Sequence, residues 1–245
     1  MEDEISRTFK YATDFYLKRL VLIVIFSVPF IFAFLIPAFV PAPSYLSIGG
    51  VFLRTGSIPE LSILDIIVTT VAYAAAVFLI ADTLVNINII IRSKRTLNVM
   101  SQEIVSAMGT YAARIFYIYT VAVLVLFIVQ LLTYGNELQS WIYSIFALLV
   151  SFVLFFVPPA VVIDNAGTMD ALRRSAQVAL KNLHLVILWS LVGLFFLSLT
   201  KVIGDFIFSS PFSGYFVLLV NSLLVLPFLA VLQTQMYMEK YPLAR

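Results

Sequence analysis

The sequence predicts an all-α, polytopic membrane protein, and three observations carry that prediction. Hydrophobic residues make up 62% of the 245-residue chain and charged residues 11%, more apolar surface than one soluble core of this size can hide. The apolar residues fall in long runs, each near the roughly 20 residues that cross a hydrocarbon layer of about 30 Å as a helix. Segments with apolar residues on one side and polar residues on the other stand directly before alternate runs, as expected of helices lying at a membrane surface.

Residues 1–19 read as an N-terminal amphipathic helix, with Ile5, Phe9, Ala12 and Tyr16 on one side and Arg7, Lys10, Asp14 and Lys18 opposite. The first span follows over about 20–40, closed by Pro41 and Pro43. Its length and the acidic start MEDE argue against a cleaved signal peptide. After a loop of little charge, the second span covers about 62–91; as one helix it would be about 45 Å long, so its ends must tilt or protrude. The basic residues Arg92, Lys94 and Arg95 end it. A weaker amphipathic segment comes next, Ile104, Met108, Tyr111 and Ile115 on one face and Ser106, Gly109, Thr110 and Ala113 on the other. Spans three and four, about 115–134 and 141–163, are joined by the tight loop GNELQS; spans five and six cover about 183–204 and 213–237.

The stretch from Val157 to Trp189 links two of these spans. Pro158 and Pro159 remove two backbone donors and predict a kink or break. Asp164, Asn165 and Gly167 supply turn chemistry, Thr168 is placed to N-cap a new helix, and Asp170 suits the positive end of its dipole. In that helix Asp170, Arg174, Gln177 and Lys181 share one face, and Leu172, Ala176, Ala179 and Leu183 another.

Lys and Arg concentrate on the cytoplasmic side of membrane proteins. Of the 15 basic residues, all except Arg54 and Lys201 fall on one side of this layout, which predicts six spans, both termini in the cytoplasm, and a multi-pass protein of the cell membrane. The same layout suggests a threefold repeat of helical hairpins, each opened by an amphipathic helix near residues 5, 104 and 172.

Two stretches carry a resemblance. The proline-ended fourth span leads through Asp164 and Gly167 into ALRRSAQVALKNLHLVILW, and the chain's last span holds LPFLAVLQTQMYMEK, Leu226 to Lys240. Both resemble the six-span membrane domain associated with bacterial glycerophosphodiester phosphodiesterases, and its stand-alone relatives of poorly known function. The double proline and the long second span depart from that pattern. The resemblance implies a fold and a topology; the catalytic phosphodiesterase domain has no counterpart in this chain, and its activity is not carried over.

Enzymatic constellations are absent from the sequence: there is one histidine, His184, no cysteine, no metal-binding helix motif and no glycine-rich phosphate loop, so the expectation is a non-enzymatic protein without cofactor. A formal charge of +2 gives no reason to expect a nucleic-acid partner. Polar residues recur at the cytoplasmic ends of the even spans: Asp82, Thr83, Asn86 and Asn88; Asp164 and Asn165; Gln233, Thr234 and Gln235. With Arg114 they form a candidate polar cluster, readable as a solute gate or, more plainly, as helix caps and pairs, with Asp82 expected to pair with Arg114 or Arg173. Arg173, Arg174 and Lys181 are candidate contacts to anionic lipid headgroups. Gln130 and Asn221 sit singly within spans, as interhelical hydrogen-bonding residues do. The leading functional reading is a protein that organises lipids or partner proteins, membrane or cytoplasmic, at the cytoplasmic face. The alternative is a transporter or channel for a small or lipid-like solute.

Overall fold

The computed structural model describes residues 2–36, 47–48, 51–52, 63–95 and 102–239. Pro41, Pro43, Arg54, Glu60, Lys240, Arg245 and the side chains of Ile5, Lys94, Arg95, Ile104 and Ser106 lie outside the described part. The described residues are almost wholly helical: α1 (Glu2–Lys18), α2 (Leu20–Leu35), α3 (Ile63–Arg95), α4 (Gln102–Leu132), α5 (Gln139–Leu154), α6 (Val157–Ile163), α7 (Thr168–Lys181), α8 (Leu183–Ile207), α9 (Phe212–Val220) and α10 (Leu226–Met238). A five-residue π-helical segment, Asn221–Val225, joins α9 to α10. Between α2 and α3, Ser47 pairs with Phe52 and Ile48 with Val51 in a two-residue antiparallel ladder.

Among the described residues, five stretches are long and apolar enough to cross a membrane, Ile67–Arg92, Met108–Leu132, Gln139–Ile163, Leu183–Ile207 and Phe212–Met238, and a sixth arises if α1 and α2 count together. Helices satisfy their own backbone groups, which hydrocarbon requires. α1 and α2 meet at 88° at Arg19, as a surface helix turning into a span would. α2 is described as a regular helix to Leu35, and the expected end of its span near 40 lies outside the described residues.

The middle amphipathic segment behaves differently from the other two. It runs without interruption into its span as the 31-residue α4, whereas α1–α2 break at Arg19 and α7–α8 at Asn182. Ile115 and Ile118 continue the apolar side upward, so nothing in the sequence stops the helix there.

α3 is the centre of the bundle, packed by α2, α4, α6 and α10. Its apolar window is 72% buried, against 22% for those of α4 and α8, which lie at the periphery. α1 folds back over α10. Its buried stripe is Thr8, Ala12, Phe15 and Tyr16, with Phe9 partly exposed, a rotation from the expected apolar face. The reason is polar: Thr8 Oγ1 donates to Glu239 at 2.8 Å and Arg7 pairs with the same carboxylate at 3.1 Å. Tyr16 donates to Leu224 O at 3.0 Å, within the π-helical segment, and its ring meets Phe228 edge-on at 5.4 Å.

Candidate functional site

The candidate polar cluster is best built from the proline pair. Pro158 and Pro159 cannot donate to Leu154 O and Phe155 O, and α5 ends at Leu154 while α6 begins at Val157. The tightened turn sends Phe155 N–H to Phe152 O at 3.3 Å, which leaves Phe156 N–H without its usual acceptor. Ser175, fully buried on α7, repairs both sides of the gap: its Oγ accepts from Phe156 N at 2.8 Å and donates to Val153 O at 2.6 Å. Gln233 Nε2 of α10 donates to Phe155 O, the carbonyl that Pro159 leaves open. Regular bonding resumes at Ala160 N–H to Phe156 O, 3.0 Å. The expected break is present, and two buried polar side chains hold it.

The turn after α6 is gripped from four directions. Asn165 takes a left-handed φ of 50°, a conformation asparagine tolerates better than most residues. Arg92 on α3 donates to Val162 O at 2.7 Å and to Tyr111 Oη at 3.2 Å. Arg114 on α4 donates to Asn165 Oδ1 at 3.2 Å and Ala166 O at 3.3 Å. Arg174 on α7 and Tyr237 on α10 both donate to Asp164 Oδ2, at 3.1 and 2.7 Å. The Asp164 side chain is only 3% exposed, so its charge is held where water scarcely reaches it. The carbonyls at the negative end of α6 add to the attraction for these cations.

The expected pairing of Asp82 is corrected by this geometry. Asp82 is not paired with Arg114 or Arg173: its Oδ2 accepts from Asn86 Nδ2 at 3.1 Å, one helical turn away on α3. Arg114 faces the turn instead, because it points from α4 toward Asn165. Arg174, proposed as a headgroup contact, is about half exposed and also holds Asp164. A smaller correction concerns the start of α7, where Gly167 occupies the cap position and Thr168 is the first helical residue.

The remaining candidates divide in two. Asn88 and Thr234, both buried, meet across α3 and α10 at 2.8 Å, so the structure does bring these two ends together. Gln235 is half-buried and makes no side-chain hydrogen bond among the described residues. Asn221 accepts from Thr200 Oγ1 at 2.8 Å, the interhelical bond expected of it. Trp189 lies deep, donating to Leu229 O at 2.8 Å, while Trp141 is exposed. His184 Nε2 is buried and has no partner among the described residues.

Sequence reasoning missed Arg92, Tyr111, Ser175 and Tyr237 as members of this network. The usable signal was the proline pair, since two lost donors in an apolar setting demand donors from elsewhere.

On α7 the buried side is Ala171, Ser175 and Ala179, small residues that let it approach α5 and α6 closely. Leu172 and Ala176 are only partly buried. The opposite side exposes Arg173 and Lys181, unpaired among the described residues, with Met169 and Leu180 also exposed.

An all-helical protein of the membrane type, braced by a buried polar network at one end of its bundle, is the class this fold defines. Comparison with known proteins adds one partial likeness: an uncharacterised protein of Archaeoglobus fulgidus is 46% identical over 52 residues, 21% of this chain and 18% of that protein's length. No protein-family model matches the chain. No solved structure matches it.

Proposed function

We propose that this is a six-span, non-enzymatic protein of the cell membrane, with both termini cytoplasmic, that organises anionic lipid at the cytoplasmic face through α7. The kinship with the six-span membrane-domain family and the threefold repeat of hairpins belong to the same reading. Support for the repeat is the shared break before α2 and α8; the uninterrupted α4 is its weakest copy.

One observation carries the lipid reading: the exposed side of α7 sets Arg173 and Lys181 beside exposed Met169 and Leu180. At helical spacing Met169, Arg173 and Leu180 form one stripe, and Lys181 stands on the adjoining polar edge. A cation between two apolar side chains suits the boundary of headgroups and acyl chains, where apolar groups dip in and the guanidinium stays at the phosphates. Two basic residues near an anionic leaflet contribute about 2 kcal/mol, less what Asp170 offsets, or roughly tenfold selectivity.

Native mass spectrometry in mixed lipid tests this. Arg173→Gln with Lys181→Gln should lose most of the retained anionic lipid while thermal unfolding stays unchanged. Arg174→Gln should do the opposite, costing stability rather than lipid. Equal lipid retention by the double variant and the parent protein sinks the reading.

A transport reading draws on Asp82 alone, a carboxyl within a span whose one side-chain partner among the described residues is Asn86, itself left with a buried and unbonded Oδ1. Solute uptake into proteoliposomes that is lost in Asp82→Asn would favour it.

A further inference from the structure

We infer that the bundle contains an intramembrane binding site for the polar end of an uncharged, slender hydrophobe, a hydroxyl-bearing chain of the long-chain alcohol class. This stands independently of the headgroup contacts of α7. A partly open cavity of about 50 Å³ is lined by residues of α2, α3, α4, α8 and α10. Four aromatic side chains contribute, Phe30, Phe34, Tyr119 and Trp189, and aliphatic residues most of the rest. Tyr119 is 1% exposed, and its hydroxyl is buried without a hydrogen-bond partner among the described residues. A buried, unbonded hydroxyl costs about 1–3 kcal/mol, which a ligand would recover.

The remaining polar atoms narrow the occupant. Trp189 Nε1 is taken by Leu229 O, and Gln233 Nε2 by Phe155 O. That leaves Tyr119 Oη, a donor and acceptor, and Gln233 Oε1, an acceptor with no bond among the described residues. A hydroxyl has the chemistry for both, since it can accept from Tyr119 Oη and donate to Gln233 Oε1. None of the lining residues carries a formal charge, so a carboxylate or ammonium would be stranded there. Water is the competing occupant; an internal water makes about three hydrogen bonds, with two the fewest, so two open groups hold it weakly. The volume admits a chain end rather than a whole lipid, and the open side lets the rest of the chain lie along the aromatic rings.

The test uses the full chain in nanodiscs, irradiated with a diazirine-bearing dodecanol analogue, with labelled peptides mapped afterwards. Label should fall on α2, α8 and α10 at the cavity, and be competed by 1-dodecanol but by neither dodecane nor dodecanoate. Tyr119→Phe, which removes only the hydroxyl, should weaken labelling by roughly two- to tenfold, the worth of one net hydrogen bond. Its thermal unfolding should be no lower than the parent's, since the group it deletes is unpartnered. Ala230→Leu fills the void and should abolish competable label. Labelling indifferent to both substitutions, competition by dodecane equal to that by dodecanol, or marked destabilisation by Tyr119→Phe each overturns the inference.

Discussion

Pro158 and Pro159 take two amide hydrogens out of the stretch Gln139–Ile163, and buried side chains of α7 and α10 answer that loss. Gln233 and Gln235 look alike in the sequence, two amides near the end of the last span, yet only Gln233 reaches Phe155 O. Gln233→Leu should therefore lower stability by about 1–3 kcal/mol, by leaving a buried carbonyl bare, and Gln235→Leu should be near neutral. Thermal unfolding in detergent measures the difference. Charge pairs separate in the same way. Asp164 and Arg174 should couple in a double-mutant cycle by about 1 kcal/mol or more, the exposed half of Arg174 limiting the effect, whereas Asp82 and Arg114 should show no coupling. The sequence made Asp82–Arg114 attractive because both lay near one end of the bundle. Which way each side chain points is decided by how α3 and α4 are rotated against their neighbours, and composition carries no information about that.

At the scale of elements, α8 and α9 cross at a point set by a glycine. A Cβ built at Gly204 would stand 2.8 Å from Val217 Cγ2 and 3.2 Å from Phe216, so close that the Val217 side chain or the helices must shift. At Gly193 the nearest atom is the flexible Leu229 Cδ1 at 3.4 Å. Gly204→Ala should cost about 1–3 kcal/mol and Gly193→Ala far less, read again by thermal unfolding. The α1–α10 contact gives a second prediction at this scale. Thr8→Ala removes a bond to Glu239 and should raise amide hydrogen exchange across α1 while α10 stays protected. The existence and amphipathic character of α1 and α7 were legible from spacing. Their buried faces were not, because Thr8 and Ser175 are polar residues buried for their hydrogen bonds, and a search for apolar stripes passes over them.

For the whole molecule, topology is the testable property. The chain has no cysteine, so single cysteines report cleanly. With both termini cytoplasmic, cysteines at Ser47 and Ser140 should react with an impermeant thiol reagent in intact cells, and one at Ser93 should not; the inverse pattern removes the proposed orientation. The existence and apolarity of the long helices, the break at the proline pair and the amphipathic helix before α2 were determined by the sequence alone. Those features depend on local backbone chemistry and on the cost of exposing polar groups to hydrocarbon, both of which act residue by residue along the chain. What only the tertiary structure decided is the company each polar residue keeps: Asp164 with Arg174 and Tyr237, Gln233 with Phe155, and Tyr119 with an empty hydroxyl beside a cavity. Those partners lie as far as 78 positions apart, and helix packing, which has no sequence period, sets which of them meet.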